Sequence, residues 1–343
     1  MTRPHRAAPR AARAARVALA ATAAALLVAT AACSSDSGGR RAREEREAAA
    51  MGQADTPRMT VALVTHGGEG DTFWDTVREG AEDAAHKSNA RLIYSSDPSV
   101  EGQATFVRNA IDQDVDGIAV SLANPQGLSR VLADAREAGI PVVGLNSGAD
   151  AWRDLGLLSF FGQDETVAGR AFGERLNEEG AEHAVCVVHE QGNIGHEARC
   201  AGLAETFEGE SEILYVEGTD MPSVRSTVEA RLRQDSSVDW VAALGAPFAL
   251  TAVDAARDAG SEAAVATFDL NTELVNAIRA GDIAFAVDQQ PYLQGYLAID
   301  ALWLFHTNGN FSGGGAEPVL TGPAFVDAGN VEEIAAFAEN GTR

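Results

Sequence analysis

From residue 58 onward, short apolar runs alternate with longer stretches whose apolar positions recur every three or four residues. The runs have the length of buried strands, and the stretches between them have the period of amphipathic helices. Strands are predicted at 60–65, 91–95, 117–121, 141–145, 157–161, 184–188, 212–216, 240–244, 264–268 and 283–287. Helices are predicted at 73–88, 101–113, 126–138, 165–178, 197–208, 223–234, 247–259, 272–280 and 291–306, with a last strand near 319–325 and a helix at 331–339. In the first helix, Val77, Ala81 and Ala84 share one face. The βαβα alternation predicts an α/β fold with parallel sheets covered by helices. Ten strands before the last are many for one twisted sheet, so two sheets of about five are expected. Asn124-Pro125 breaks the chain before the third helix, Gly139 stops that helix, and Pro141 opens a strand. Asp164 and Thr272 are candidate caps for the helices at 165 and 273.

Composition narrows the setting. The formal net charge is −24 and Lys87 is the sole lysine, while residues 1–32 hold five Arg and no acid. The rest of the chain is therefore more acidic still and repels phosphate backbones, which excludes nucleic acid as a partner. Met1 to Arg16 is basic, and Val17 to Ala32 is an uncharged Ala/Leu/Val run of 16 residues. That is short for a spanning helix, which needs about 20, and suits a secretory signal at 1–32. Thr30-Ala31-Ala32-Cys33 resembles a bacterial lipobox, which implies lipidation at Cys33 and a lipid-anchored position outside the cytoplasm. Residues 33–57 read as a flexible tether. Cys186 lies in a strand and Cys200 near a helix start. Outside the cytoplasm such a pair can be bridged, or both thiols can stay free and buried.

Polar and aromatic residues gather at the carboxyl ends of the predicted strands, where ligands bind in open α/β sheets. Gly70-Asp71-Thr72-Phe73-Trp74 sits where the first strand hands over to a helix. Ser121, Asn146, the segment His189 to Asn193, Phe268-Asp269 and Asp288-Gln289 occupy equivalent places, with Arg199 early in a later helix. Carboxylates, amides and a guanidinium pair with hydroxyls, and rings cover C–H faces, so the set suits a neutral polyol or sugar. Each residue singly also fits a turn or cap, and Phe73 and Trp74 also fit a core position at a helix start.

Four segments carry a resemblance to a known family: Gly70-Asp-Thr-Phe-Trp74 with Val77-Arg-Glu-Gly-Ala81, Asp116-Gly-Ile-Ala-Val-Ser121, Val265-Ala-Thr-Phe-Asp269, and Asp288-Gln-Gln-Pro-Tyr-Leu-Gln-Gly-Tyr296. Over about 58–328 the chain resembles the type I periplasmic sugar-binding proteins of ABC transporters, the ribose/galactose-binding group that shares its core with the lactose-repressor ligand domain. The resemblance implies two Rossmann-like lobes joined by a three-crossing hinge: 58–161 plus 291–317, and 162–290 plus 318–343, with crossings near 161–164, 288–291 and 317–325. It implies ligand contacts from Asp71, Phe73, Trp74, Ser121, Asn146, Asn193, Arg199, Phe268, Asp269 and Gln289. Paired cysteines at 186 and 200 are similar to those of a subgroup of sugar-binding lipoproteins. Asn146-Ser147 and Gly245-Ala246 depart from the Asp-Arg and Asn-Asp of ribose binders, which argues against ribose itself.

The implied function is capture of a sugar or polyol and its delivery to an ABC transporter permease, by a monomer without cofactor or metal. A sensory protein presenting its ligand to a receptor kinase would use the same lobes. An enzyme would need paired carboxylates such as Asp71 and Asp269, or His189-Glu190 as acid and base. No nucleophile elbow, zinc pattern or phosphate loop accompanies them. A DNA-binding repressor fails on charge and on the leader.

Overall fold

The structure, a computed structural model, describes residues 52–343 apart from residue 69. The expected signal at 1–32, the expected lipidation at Cys33 and most of the expected tether lie outside the described residues. Ala54–Arg343 forms one unit. Its first sheet is built from β1 (Met59–Thr65), β2 (Ala90–Ser96), β3 (Gly117–Ser121), β4 (Val142–Asn146), β5 (Phe160–Gly162) and β11 (Val319–Leu320). Their order is β11-β5-β4-β3-β1-β2, all parallel. The second holds β6 (His183–Val188), β7 (Glu210–Tyr215), β8 (Trp240–Ala243), β9 (Ala264–Phe268), β10 (Phe285–Asp288) and β12 (Ala324–Asp327). Their order is β12-β10-β9-β8-β6-β7, and β12 alone runs antiparallel.

Alternation along the strands explains the layers. Val61 and Leu63 of β1 enter one core with Val77, Leu145 and Leu302, while Ala62 and Val64 enter another with Ile118, Leu128 and Leu132. In the second lobe Val185 and Val187 face one core, and Ala184, Cys186 and Val188 the other. Sheets covered on both faces read as continuous apolar runs, and β3 and β4 are buried throughout. The covering helices are α1 (Thr72–Lys87), α2 (Val100–Asp112), α3 (Pro125–Glu137), α4 (Glu165–Glu178), α5 (Ile194–Thr206), α6 (Met221–Gln234), α7 (Ala246–Ala259), α8 (Thr272–Ala280), α9 (Pro291–Asn308) and α10 (Val331–Glu339). Two helix pairs approach at glycines. A Cβ on Gly295 of α9 would stand 1.8 Å from the Val77 carbonyl oxygen of α1, and one on Gly202 of α5 would stand 2.5 Å from that of Thr166 of α4. Cys186 of β6 and Cys200 of α5 are joined by a disulfide, with Cα atoms 5.9 Å apart.

Three local expectations change. The strand expected at 319–325 is two strands in different sheets, because Pro323 has no N–H to continue a ladder. Val319 and Leu320 extend the first sheet beside Phe161 and Gly162, whereas 162 and 318–320 were expected to go with the second sheet. Thr272 does not cap α8. Asn271 does, its Oδ1 accepting from the Leu274 amide at 2.8 Å, while Thr272 donates to the Ala338 carbonyl. Asp164 caps α4 through the Val167 amide at 2.9 Å.

The chain crosses between sheets beyond β5, beyond β10 and between β11 and β12. These crossings are bonded to one another. Thr321 Oγ1 donates to the Gln289 carbonyl at 2.7 Å, and Gln294 Nε2 donates to the Gln289 carbonyl and Oε1 at 3.1 and 2.9 Å. Arg343 Nε donates to Asp288 Oδ2 at 2.7 Å.

Candidate functional site

The loops after the strands of one sheet meet those of the other. The Ile194 amide donates to the Ala123 carbonyl at 3.1 Å, and Ser147 Oγ to Asn193 Oδ1 at 3.4 Å. Asn146 closes β4 and Asp269 follows β9, equivalent strands of the two sheets, and both are left-handed with φ of 66° and 67°. Asn and Asp are the side-chain-bearing residues that tolerate this region best. Gln289 at the second crossing joins them. Its Oε1 accepts from Asn146 Nδ2 at 3.2 Å, and its Nε2 donates to Asp269 Oδ1 at 2.7 Å. One hinge amide thus touches both lobes.

Arg199 on α5 is 3% exposed. Its Nε and Nη2 donate to the two oxygens of Glu165 at 2.6 and 2.9 Å, its Nη1 to the Leu244 carbonyl at 3.3 Å, and its guanidinium lies 4.5 Å from the centre of the Phe268 ring. Glu165 opens α4, and the glycine approach of α4 to α5 brings it within reach. Sequence reasoning missed Glu165. The available signal was that a buried guanidinium requires a carboxylate partner.

The remaining expected residues divide by role. Asp71 caps α1, its Oδ1 accepting from the Phe73 amide at 3.0 Å. Phe73 is half-buried, whereas Trp74 is 4% exposed, packed in the core and edge-on to Phe73 and His66. Phe268 is likewise a core ring, stacked on Phe172 at 5.4 Å. Ser121 Oγ accepts from the His66 and Gln103 side, from the His66 amide at 3.1 Å and Gln103 Nε2 at 3.1 Å, and stands 2.7 Å from His66 Nδ1. Its one proton goes to Nδ1, which places the His66 proton on Nε2, 3.7 Å from Glu190 Oε2 of the other lobe. Asn193 caps α5 through the Gly195 amide at 2.9 Å and donates to Glu190 Oε2 at 2.6 Å.

Burial dominates the electrostatics. It pushes the Asp269 carboxyl up to about 7, against the pull of Arg199 and the Gln289 hydrogen bond. It pushes Asp71 up to about 6, partly offset by the Phe73 amide and reinforced by Glu190. His189 is driven down to about 4 and His196 well below its usual range, again chiefly by burial. Among the described residues no group of three His, Cys, Asp or Glu is placed to hold a metal ion, and no helix is long and apolar enough to cross a membrane.

A cavity of about 540 Å³ opens between the loops. His66, Gln103 and Ala123 line it from one lobe and His189, Glu190 and Tyr215 from the other. Asn193 lines it too, whereas Asn146, Arg199, Asp269 and Gln289 do not. The cavity therefore lies at the edge of the cleft away from the hinge.

A family profile described as a periplasmic binding protein domain matches residues 61–308. The chain is similar to a carbohydrate transporter from Acidothermus cellulolyticus solved in complex with myo-inositol, at 50% identity and TM-score 0.82, covering 84% of this chain and 100% of that one. It is 27% identical to a xylose/arabinose-binding protein of Sulfolobus acidocaldarius over 57% of this chain and 53% of that protein, so it spans about half of that relative. It is 24% identical to a ribose import binding protein of Haemophilus influenzae, over 66% of this chain and 79% of that one.

Proposed function

Since the chain belongs to the family of periplasmic binding proteins, we propose that it captures a neutral sugar or polyol between its two lobes and delivers it to an ABC importer. It is a binding protein and not an enzyme. One observation carries the choice of a neutral ligand. The Arg199 guanidinium is already matched by Glu165, so Asn146, Asp269 and Gln289, bonded in a chain beside it, offer a carboxylate and amides to hydroxyl groups, and among the described residues no unmatched cation joins them to favour an anion. Myo-inositol is the first candidate, supported by the relative solved with it; pentoses follow.

In this reading Gln289 couples occupancy to closure, because it bonds Asn146 and Asp269 at once. A ligand shifts an open–closed equilibrium by its differential affinity for the two states, and hydroxyls bridging both lobes supply that difference. The lobes are proposed to divide near residues 162, 290 and 321, with a lipid at Cys33 holding the receptor at the outer face of the membrane.

Calorimetry and thermal shift on the protein from residue 34 test the function. Myo-inositol, D-ribose, D-xylose, arabinose and D-allose form the panel, with glucuronate and glucose 6-phosphate as anionic controls. A ligand at 100 times its Kd stabilises by about 2.7 kcal/mol. Binding of an anion in preference to every neutral compound would refute the reading, as would silence across the neutral panel.

A further inference from the structure

We propose that the cleft has two compartments, and that the outer one, the cavity between the His66 and Glu190 loops, receives a second neutral sugar ring, so that a glycoside or disaccharide is the full ligand. This rests on the sugar-binding reading and extends it.

Strand order separates the compartments. Asn146, Asp269 and Gln289 stand at the ends of β4, β9 and β10, on the hinge side of each sheet. The outer cavity is walled by the loops after β1, β2 and β3 and those after β6 and β7, on the side away from the hinge. Asn193 connects the two, since it lines the cavity and bonds Ser147 beside Asn146. The cavity's volume of about 540 Å³ lies within the range of small-molecule sites without counting any space around Arg199 or Asp269.

Its walls fit a sugar ring. His66 Nε2 and Glu190 Oε2 face each other from opposite lobes at 3.7 Å, beyond direct hydrogen-bond reach. With the proton on Nε2, they present a donor and an acceptor that one hydroxyl can bridge by accepting from His66 and donating to Glu190. Tyr215 adds a ring 46% exposed, held by its hydroxyl against both oxygens of Glu197 at 3.1 and 3.2 Å. A pre-set aromatic face suits the C–H side of a sugar. Glu190 and Glu217 line the cavity and, among the described residues, no Lys or Arg does, so a phosphorylated or carboxylated unit is disfavoured there.

The test compares each parent compound with its glycoside by calorimetry: myo-inositol with galactosyl-myo-inositol, xylose with xylobiose, arabinose with arabinobiose. At least one glycoside should bind within tenfold of its parent or more tightly. Tyr215→Ala, at an exposed position, should lower the glycoside-to-parent affinity ratio about tenfold. If a parent binds and every glycoside is more than tenfold weaker, or if Tyr215→Ala leaves the ratio unchanged, the outer compartment is refuted while the polyol receptor stands. If neither parents nor glycosides bind, both readings fall together.

Discussion

Glu165→Gln removes the charge that balances Arg199 and leaves the guanidinium in place. Both side chains are almost wholly buried, at 3% and 5% exposure, so water does not replace the lost carboxylate. Glu165 accepts three hydrogen bonds, two from Arg199 and one from Gln163 Nε2 at 2.8 Å. Glutamine keeps one acceptor oxygen and turns the other into a donor facing a cation. Removing one partner of a buried pair costs about 3–5 kcal/mol, a large share of a total stability of about 5–15 kcal/mol. Urea denaturation followed by tryptophan fluorescence, to which Trp240 in the same core cluster as Cys200 contributes, reads the loss. Arg199→Met in the same chain should recover most of it, because no unbalanced charge then remains inside. A loss below about 1 kcal/mol for Glu165→Gln, or a double variant no more stable than the single one, would show that the pair does not hold Arg199 as described.

Asp269 carries a folded-state pKa of about 7 against an unfolded value near 3.9. The folded state keeps a proton that the unfolded state has lost, so this residue's contribution to stability grows as pH falls from about 7 toward 4. His189 and His196 act in the opposite sense, so the check is the difference between wild type and Asp269→Asn in denaturant midpoints from pH 4 to 8, which should vary with pH. Ligand hydroxyls donating to the Asp269 carboxylate favour its ionised form, so polyol affinity should weaken below pH 7, and calorimetry in buffers of different ionisation enthalpy should register proton release. Gly202→Ala drives a Cβ to 2.5 Å from the Thr166 carbonyl oxygen and should cost about 1–3 kcal/mol, whereas Gly68→Ala, with nothing within 4 Å, should stay within about 0.5 kcal/mol. Cys33→Ser should abolish incorporation of labelled palmitate into the protein; labelling that persists would remove the proposed anchor.

The alternating architecture was legible because strand length and helical period are local properties, and the strands and helices lie within a few residues of where periodicity put them. What lay beyond reach depended on partners distant in the chain. Val319–Leu320 joins the first sheet because β5 offers an open edge, which nothing in residues 319–325 announces. Trp74 and Phe268 have the composition of ligand-stacking rings, yet Gly67 lets Trp74 tuck beneath the loop and Phe172 stacks on Phe268. Nothing local marks Glu165, because its meeting with Arg199 requires the closeness of two helices. Asn146, Asp269 and Gln289 were found at strand ends, but their hydrogen-bonded chain through the hinge appears only in three dimensions.

The disulfide carries a consequence for when the receptor becomes competent. Cys200 follows Arg199 directly, so the bond to Cys186 ties the turn of helix that carries the guanidinium to a central strand. Such bonds form in oxidising compartments and not in the cytoplasm. Before that bond forms, Arg199 is held only by Glu165, the Leu244 carbonyl and the packing of α5 on α4. Polyol affinity is expected to fall when the bond is reduced, and affinity measured with and without reductant reads the difference.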